Sequence, residues 1–204
     1  MSDDPTRVKE FFTARADGWD ARFPDDGPAY GAAVADLGLR PGDAVLDAGC
    51  GTGRALPALR GAVGPRGTVL GADLTPAMLR AAVRAGRERE GRLLLADVTR
   101  LPLRDGSVDA VFAAGLISHL ADAEAGFREL ARVARPGGRL ALFHPVGRAA
   151  LAARHGRQIT ADDERAEENL GPFLGRSGWR MVSYVDEDAR FLVIAEMSPG
   201  PDGA

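Results

Sequence analysis

The chain has 204 residues, 45% of them apolar and 27% charged, with 26 glycines, 13 prolines and one cysteine. That length bounds one domain around one hydrophobic core, and a lone Cys50 excludes a disulfide framework or a cysteine-built metal site. No run approaches the roughly 20 apolar residues of a membrane-spanning helix, and a formal charge of −3 with no basic run gives no sign of a nucleic-acid partner. The chain opens Ser2-Asp3-Asp4 rather than with a basic and then apolar leader, so the expected compartment is the cytoplasm. Among the 26 basic residues only Lys9 is a lysine, and the cluster Arg84, Arg87, Arg89 and Arg92, broken by Glu88 and Glu90, reads as a solvated helix end.

Residues 1–43 read as an acidic, aromatic extension in which Phe11, Phe12, Trp19, Phe23 and Tyr30 stand among Asp17, Asp20, Asp25 and Asp26. Phe11, Phe12 and Trp19 fit helical turns packed over the main domain as part of a ligand cover, and Pro24 and Gly27-Pro28 are expected to break the chain before a short helix at 29–37. From residue 44 to 197 short apolar runs alternate with helical patterns. Strands are expected at 44–48, 68–72, 93–96, 108–113 and 139–143, with helices at 53–62, 76–90 and 122–134 between them. This is a βαβ series, whose continuously apolar strands belong in a parallel sheet covered by helices on both faces. Pro136-Gly137-Gly138 is expected to stop the helix ending near Arg135 and feed the fifth strand.

The short segment 145–159 supplies little extra structure for a large polymer substrate. Thr160 is expected to cap a helix carrying Asp162, Asp163 and Glu164 in its first turn and ending at Gly175 to Gly178. Two apolar runs, 179–185 and 190–197, flank Asp186-Glu187-Asp188 and fit a hairpin, which adds antiparallel pairing to the sheet. Residues 198–204, rich in Pro and Gly, are expected to be a disordered tail.

The sharpest signal is Val45-Leu46-Asp47-Ala48-Gly49-Cys50-Gly51-Thr52-Gly53, a buried strand running into alternating glycines and then a helix. Missing side chains let such a loop pass beneath a ligand with positive φ, and amides at the helix start remain available as donors. A nicotinamide or flavin loop prefers glycine at the sixth position, where Arg54 stands, and Gly-Lys-Ser/Thr of a triphosphate loop is absent. Asp73 ends the second strand, where its carboxylate can accept from ribose hydroxyls, and Asp97 ends the third, near where a base projects. A turn cap is the alternative for each acid taken alone.

These residues resemble the class I S-adenosylmethionine-dependent methyltransferases, over about 39–197. The resemblance implies a Rossmann-like α/β fold: a seven-stranded, mostly parallel sheet whose antiparallel last strand lies between the fifth and sixth. It implies S-adenosyl-L-methionine as cofactor, S-adenosyl-L-homocysteine as product, and no metal. Gly49, Gly51 and Gly53 look like the cofactor loop, Asp47 the acid near the methionine amino group, Asp73 the ribose ligand, and Asp97 and Val98 the adenine edge. Cys50, Leu74 and Ala114 fall among the same contacts, with loop packing the simpler account of the Cys50 side chain.

The acceptor side is less specific. His119 after the fourth strand and His144 after the fifth are candidate bases, because neutral imidazole accepts a proton near pH 7. His119 packing against the cofactor or capping a helix is the alternative, and His155 fits a helix end whose carbonyls it engages. Ala113-Ala114-Gly115-Leu116 departs from the Asn/Asp-Pro-Pro-Tyr of amine methylases of bases, and clustered acids for a metal-dependent catechol type are lacking. A small, partly apolar acceptor follows, with Phe11, Phe12 and Trp19 as pocket walls, in a monomer or homodimer resembling the quinone-biosynthesis and natural-product enzymes. The alternative is a noncatalytic cofactor-binding or partner-activating subunit.

Overall fold

The computed structural model describes residues 4–24 and 26–198. Of the acidic extension, Asp25 lies outside the described residues, as does the expected tail beyond Ser198. Seven strands form one sheet: β1 (Ala44–Ala48), β2 (Thr68–Asp73), β3 (Arg92–Leu95), β4 (Val108–Ala114), β5 (Ala134–His144), β6 (Trp179–Glu187) and β7 (Arg190–Met197). Their order is β3-β2-β1-β4-β5-β7-β6, parallel from β3 to β5 and antiparallel where β7 meets β5 and β6. The expected Rossmann-like sheet and the C-terminal hairpin are therefore present, with the last strand between the fifth and sixth.

Alternate residues of each strand feed opposite faces. Val45, Phe112, Ala141 and Ile194 meet α2 (Gly27–Leu37) and α3 (Leu56–Val63) on one side. Leu46, Val111, Leu140 and Val193 meet α5 (Ala123–Val133) and α7 (Glu167–Arg176) on the other. Two remaining long helices are α1 (Pro5–Thr13) and α4 (Pro76–Arg84); α6 (Arg148–Arg154) is shorter. Trp179 closes the α5/α7 face, fully buried, with its indole N–H donating to the Phe127 carbonyl at 3.0 Å. Trp179→Phe removes that donor and strands a buried carbonyl, so urea unfolding is expected to show a loss of about 1–3 kcal/mol; an unchanged midpoint would show the bond contributes nothing.

Four boundaries differ from the sequence reading. Gly27-Pro28 does not break the chain ahead of α2 but forms its first turn, where proline's missing N–H costs no helical bond. The 76–90 helix stops at Arg84, because Gly86 turns left-handed (φ 74°) before a short 3₁₀ turn at Arg87–Arg89. Pro136-Gly137-Gly138 lies inside β5: α5 ends at Val133, Ala134 already pairs with Val108, and the next pair is Ala110 with Arg139. The turn is thus a bulge, with Gly137 at φ 73° and a Cβ on Gly138 placed 2.8 Å from the Arg135 carbonyl. Finally, Thr160 caps no helix. α7 begins at Glu167, and its first-turn acids are Glu167 and Glu168, because Asp163 instead turns the chain by accepting from Arg165 N (2.8 Å) and faces two guanidiniums. The segment 145–159 carries the seven-residue α6.

Candidate active site

Strand order reverses between β1 and β4, which opens a crevice beyond the carboxyl ends of the parallel strands. A cavity of about 750 Å³ fills it. The predicted residues Asp47, Gly49, Cys50, Gly51, Asp73, Leu74, Asp97, Val98 and Ala114 all line this cavity, as do His119, His144, Phe11, Phe12 and Trp19. Gly53 does not. Its glycine is required underneath, where φ is 77° and a Cβ would stand 2.8 Å from Leu56 Cδ1.

The loop after β1 is built from its own amides. Gly49 and Cys50 N–H both donate to the Ala72 carbonyl (2.8 and 2.9 Å), Gly53 N–H to Cys50 (2.7 Å), and Gly51 N–H to Asp73 Oδ2 (2.8 Å). Four of the loop's amides are therefore used in shaping the loop itself, and α3 starts only at Leu56. What faces the cavity is space: Gly51 has φ 54°, and a Cβ there would meet nothing within 4 Å. Cys50 is buried with its Sγ against Gly71, and burial pushes its thiol well above the usual range, in keeping with packing rather than reactivity.

The acids differ in their surroundings. Asp47 is buried, its Oδ2 accepts no hydrogen bond, and burial followed by the neighbouring Asp73 charge pushes its carboxyl up to about 8. Burial also raises Asp73, against the opposing bonds from Thr75 N–H (2.7 Å, to Oδ1) and Gly51 N–H. The Thr75 hydroxyl also bonds Asp73, so three donors hold the carboxylate and one acceptor position is left for a ligand. Asp97 accepts from Thr99 N–H (2.9 Å) and Thr99 O–H (2.8 Å), both on Oδ1, so it caps a turn and still presents an acid to the cavity.

The opposite wall is the N-terminal segment. Phe12 contacts Phe11, Trp19 and the His119 ring at centroid separations of 5.1, 5.5 and 5.0 Å, and Phe12 and Trp19 pack with Ala16 on Ala77 and Met78 of α4. Ion pairs fasten it to the glycine loop. Asp20 accepts from Thr52 O–H (2.6 Å) and pairs with Arg87 (2.7 Å), whose guanidinium also donates to the Thr52 carbonyl (2.6 Å). Arg54 reaches Asp26 (3.2 Å) and the Phe23 carbonyl, and Arg84 reaches Asp17 (2.5 Å). Arg87 is thus not part of the solvated helix end that the cluster suggested, whereas Arg84, though paired with Asp17, and Arg89 stay exposed as that reading expected.

His119 ends a 3₁₀ turn at Ile117–His119 beyond β4. His144 ends β5, where its Nδ1 lies 2.8 Å from the Val146 carbonyl and 3.1 Å from the Val146 N–H. Burial, reinforced by Arg165 and Arg154 and opposed by the Val146 bond and Asp26, lowers the proton affinity of His144 from its ordinary value. His155 Nδ1 meets the Leu151 carbonyl (2.9 Å) near the end of α6, as its position suggested. Sequence reasoning did not find Tyr30, Met78, Arg154 or Arg165 in the cavity lining. No local pattern marks them, since the fold alone brings them there. Among the described residues no cluster of three or more His, Cys, Asp or Glu is placed to hold a metal, and no helix is long and apolar enough to cross a membrane.

Residues 46–142 match the family model of a methyltransferase domain. Over 106 residues the chain is 41% identical to a demethylmenaquinone methyltransferase of Mycobacterium sp. (strain KMS), covering 52% of this chain and 43% of that protein. The chain spans less than half the length of the curated relatives it matches. A SAM dependent methyltransferase from Aquifex aeolicus superposes with a TM-score of 0.65 at 25% identity, covering 96% of this chain and 99% of the other. The methyltransferase crystallised with the Haloferax volcanii Trm112 activator shares the fold, with a TM-score of 0.75 at 22% identity over 92% and 98% of the two chains.

Proposed function

We infer that this chain, which carries a class I S-adenosylmethionine-dependent methyltransferase domain over residues 46–142, transfers the cofactor's methyl group to a small-molecule acceptor. The observation that carries this reading is the convergence of Asp47, Asp73, Asp97 and the open face of Gly51 on one cavity. The residues fit the cofactor. Asp47, buried with an unpartnered oxygen, suits the methionine ammonium; Asp73, fixed by Thr75 and Gly51 and lining the cavity, suits a ribose hydroxyl; Asp97 and Val98 suit the adenine edge. When bound, S-adenosylmethionine supplies a sulfonium methyl that an in-line nucleophile takes, leaving S-adenosylhomocysteine.

The remaining residues orient and dry the reaction. Phe11, Phe12 and Trp19 wall the acceptor end and exclude water, which strengthens the attraction between a nucleophile and a cationic methyl donor. His119 and His144 are the groups that take a proton from a hydroxyl acceptor. His119→Ala is expected to lower turnover about 100-fold or more with cofactor affinity nearly unchanged. Equal losses of binding and rate would instead make it a packing residue.

The N-terminal segment acts as the cover of the site, held by the Asp20–Arg87 and Asp26–Arg54 pairs. Arg87→Gln is expected to raise cofactor dissociation several-fold by stopped-flow, since a half-buried, hydrogen-bonded pair is worth roughly 1–2 kcal/mol; an unchanged off-rate would detach the segment from cofactor retention. The activity itself is tested by incubating the protein with S-adenosylmethionine bearing a labelled methyl and a fractionated small-molecule extract. A labelled metabolite in the mass spectrum is the expected result. Cofactor binding without any labelled product, beside a working control enzyme, would contradict transfer to a small molecule.

A further inference from the structure

Charge is distributed unevenly along the cavity. Its glycine-loop end carries Asp47, Asp73 and Asp97 together with Arg54, which Asp26 pairs; Arg15 and Arg22 come from the N-terminal wall, and Arg154, Arg157 and Arg165 from α6 and the segment that follows it. The last three arginines are short of partners. Asp163 stands between two guanidiniums, 3.4 Å from Arg148 and 3.6 Å from the Arg165 Nε, and Arg148 already pairs with Asp186 at 2.9 Å. At 3.6 Å the Arg165 contact is too long for a hydrogen bond, and its Nε is buried with none. Arg154 and Arg157 form no ion pair among the described residues. Burial lowers the proton affinity of His144, opposed by its Val146 bond and Asp26, and the charges of Arg165 and Arg154 add to the lowering.

A neutral acceptor gains nothing from such a cluster, and desolvating unpartnered guanidiniums against it is unfavourable. A carboxylate reverses the sign. It offers two oxygens to planar, forked donors, forming charge-assisted hydrogen bonds roughly twice as strong as neutral ones. An acceptor whose acid group meets these arginines shares the cavity with Phe12, which offers it an aromatic wall, and with His119 and His144.

We propose that the methyl acceptor is a carboxylate-bearing aromatic compound whose acid group is held by Arg154, Arg157 and Arg165. This rests on reading the glycine-loop end as the cofactor end.

The test compares 1-hydroxy-2-naphthoate with its neutral amide, titrated into the full chain before and after saturation with S-adenosylhomocysteine. The naphthoate is expected to bind at least about tenfold more tightly than the amide. That ratio is expected to fall below about threefold in an Arg154→Gln/Arg157→Gln variant and to be only partly kept by Arg154→Lys/Arg157→Lys, which retains the charge without the fork; both positions are exposed, so either variant leaves the fold intact. Equal affinities in the unmodified protein, no naphthoate binding, or a ratio unmoved by the Gln variant would overturn the proposal. Failure of S-adenosylhomocysteine to bind would count against the cofactor reading alone, because the ratio measured without it still decides whether these arginines select an anion.

Discussion

Gly51→Arg is expected to give a folded protein whose affinity for S-adenosylmethionine is at least about 100-fold lower, a loss of about 2.8 kcal/mol. The substitution separates site from fold unusually well. Gly51 keeps its N–H bond to Asp73 Oδ2 whatever its side chain, and a Cβ there touches no protein atom. The left-handed φ of 54° costs an L-residue roughly 1–2 kcal/mol, which a domain stable by about 5–15 kcal/mol tolerates. The arginine then projects into the cavity and occupies the ligand's path. Gly49 is no substitute for this test, since a Cβ there would stand 2.9 Å from Leu116 and disturb the packing. A thermal melt alongside a binding titration reads both parts. Retained tight binding in a folded variant would place the cofactor elsewhere.

Cofactor affinity is also expected to climb with pH up to about 8, by as much as about tenfold per unit, and then level. The cause is Asp47. In the ligand-free protein its carboxyl holds a proton until about 8, because burial and the Asp73 charge disfavour the anion. An ammonium group needs the carboxylate, so binding below that pH must expel the proton. Asp47→Asn removes the titrating group and is expected to flatten the profile while weakening binding.

The same group sets the stability of the unliganded chain in the opposite direction. Its folded value lies above the ordinary 3.8, so between about 4 and 8 the native state holds a proton that the unfolded state has lost. Stability therefore falls as pH rises across that window and is level above it, with Asp73 adding in the same sense. Urea midpoints at pH 5 and pH 8 check the sign: a midpoint that rises with pH would show that Asp47 is ionised throughout.

What the sequence revealed was mostly what neighbouring residues decide. The apolar runs of β1, β2 and β4 and the alternating glycines after Asp47 are local patterns, and an acid at the carboxyl end of a strand needs only the strand to be placed correctly. Spacing places Gly53 with the cofactor loop, and the structure adds a packing reason for the glycine, room for Leu56, that spacing does not carry. Arg87 was read from its charged neighbours, whereas its role depends on Asp20, far away in the chain. Thr160 and Asp163 looked like a helix start because nothing local shows that Arg148 and Arg165 claim Asp163. The β5 bulge is hidden for a similar reason: Pro136-Gly137-Gly138 ends a helix in most contexts, and only pairing of Ala134 with Val108 draws it into the sheet.

The most direct test of the central claim is a calorimetric titration of the full chain with S-adenosylmethionine. One site per chain, with a dissociation constant at or below the order of 100 μM, is the expected result. Absence of saturable heat up to about 1 mM at pH 8, where Asp47 is ionised in half the molecules or more, would contradict the assignment of this cavity to the cofactor.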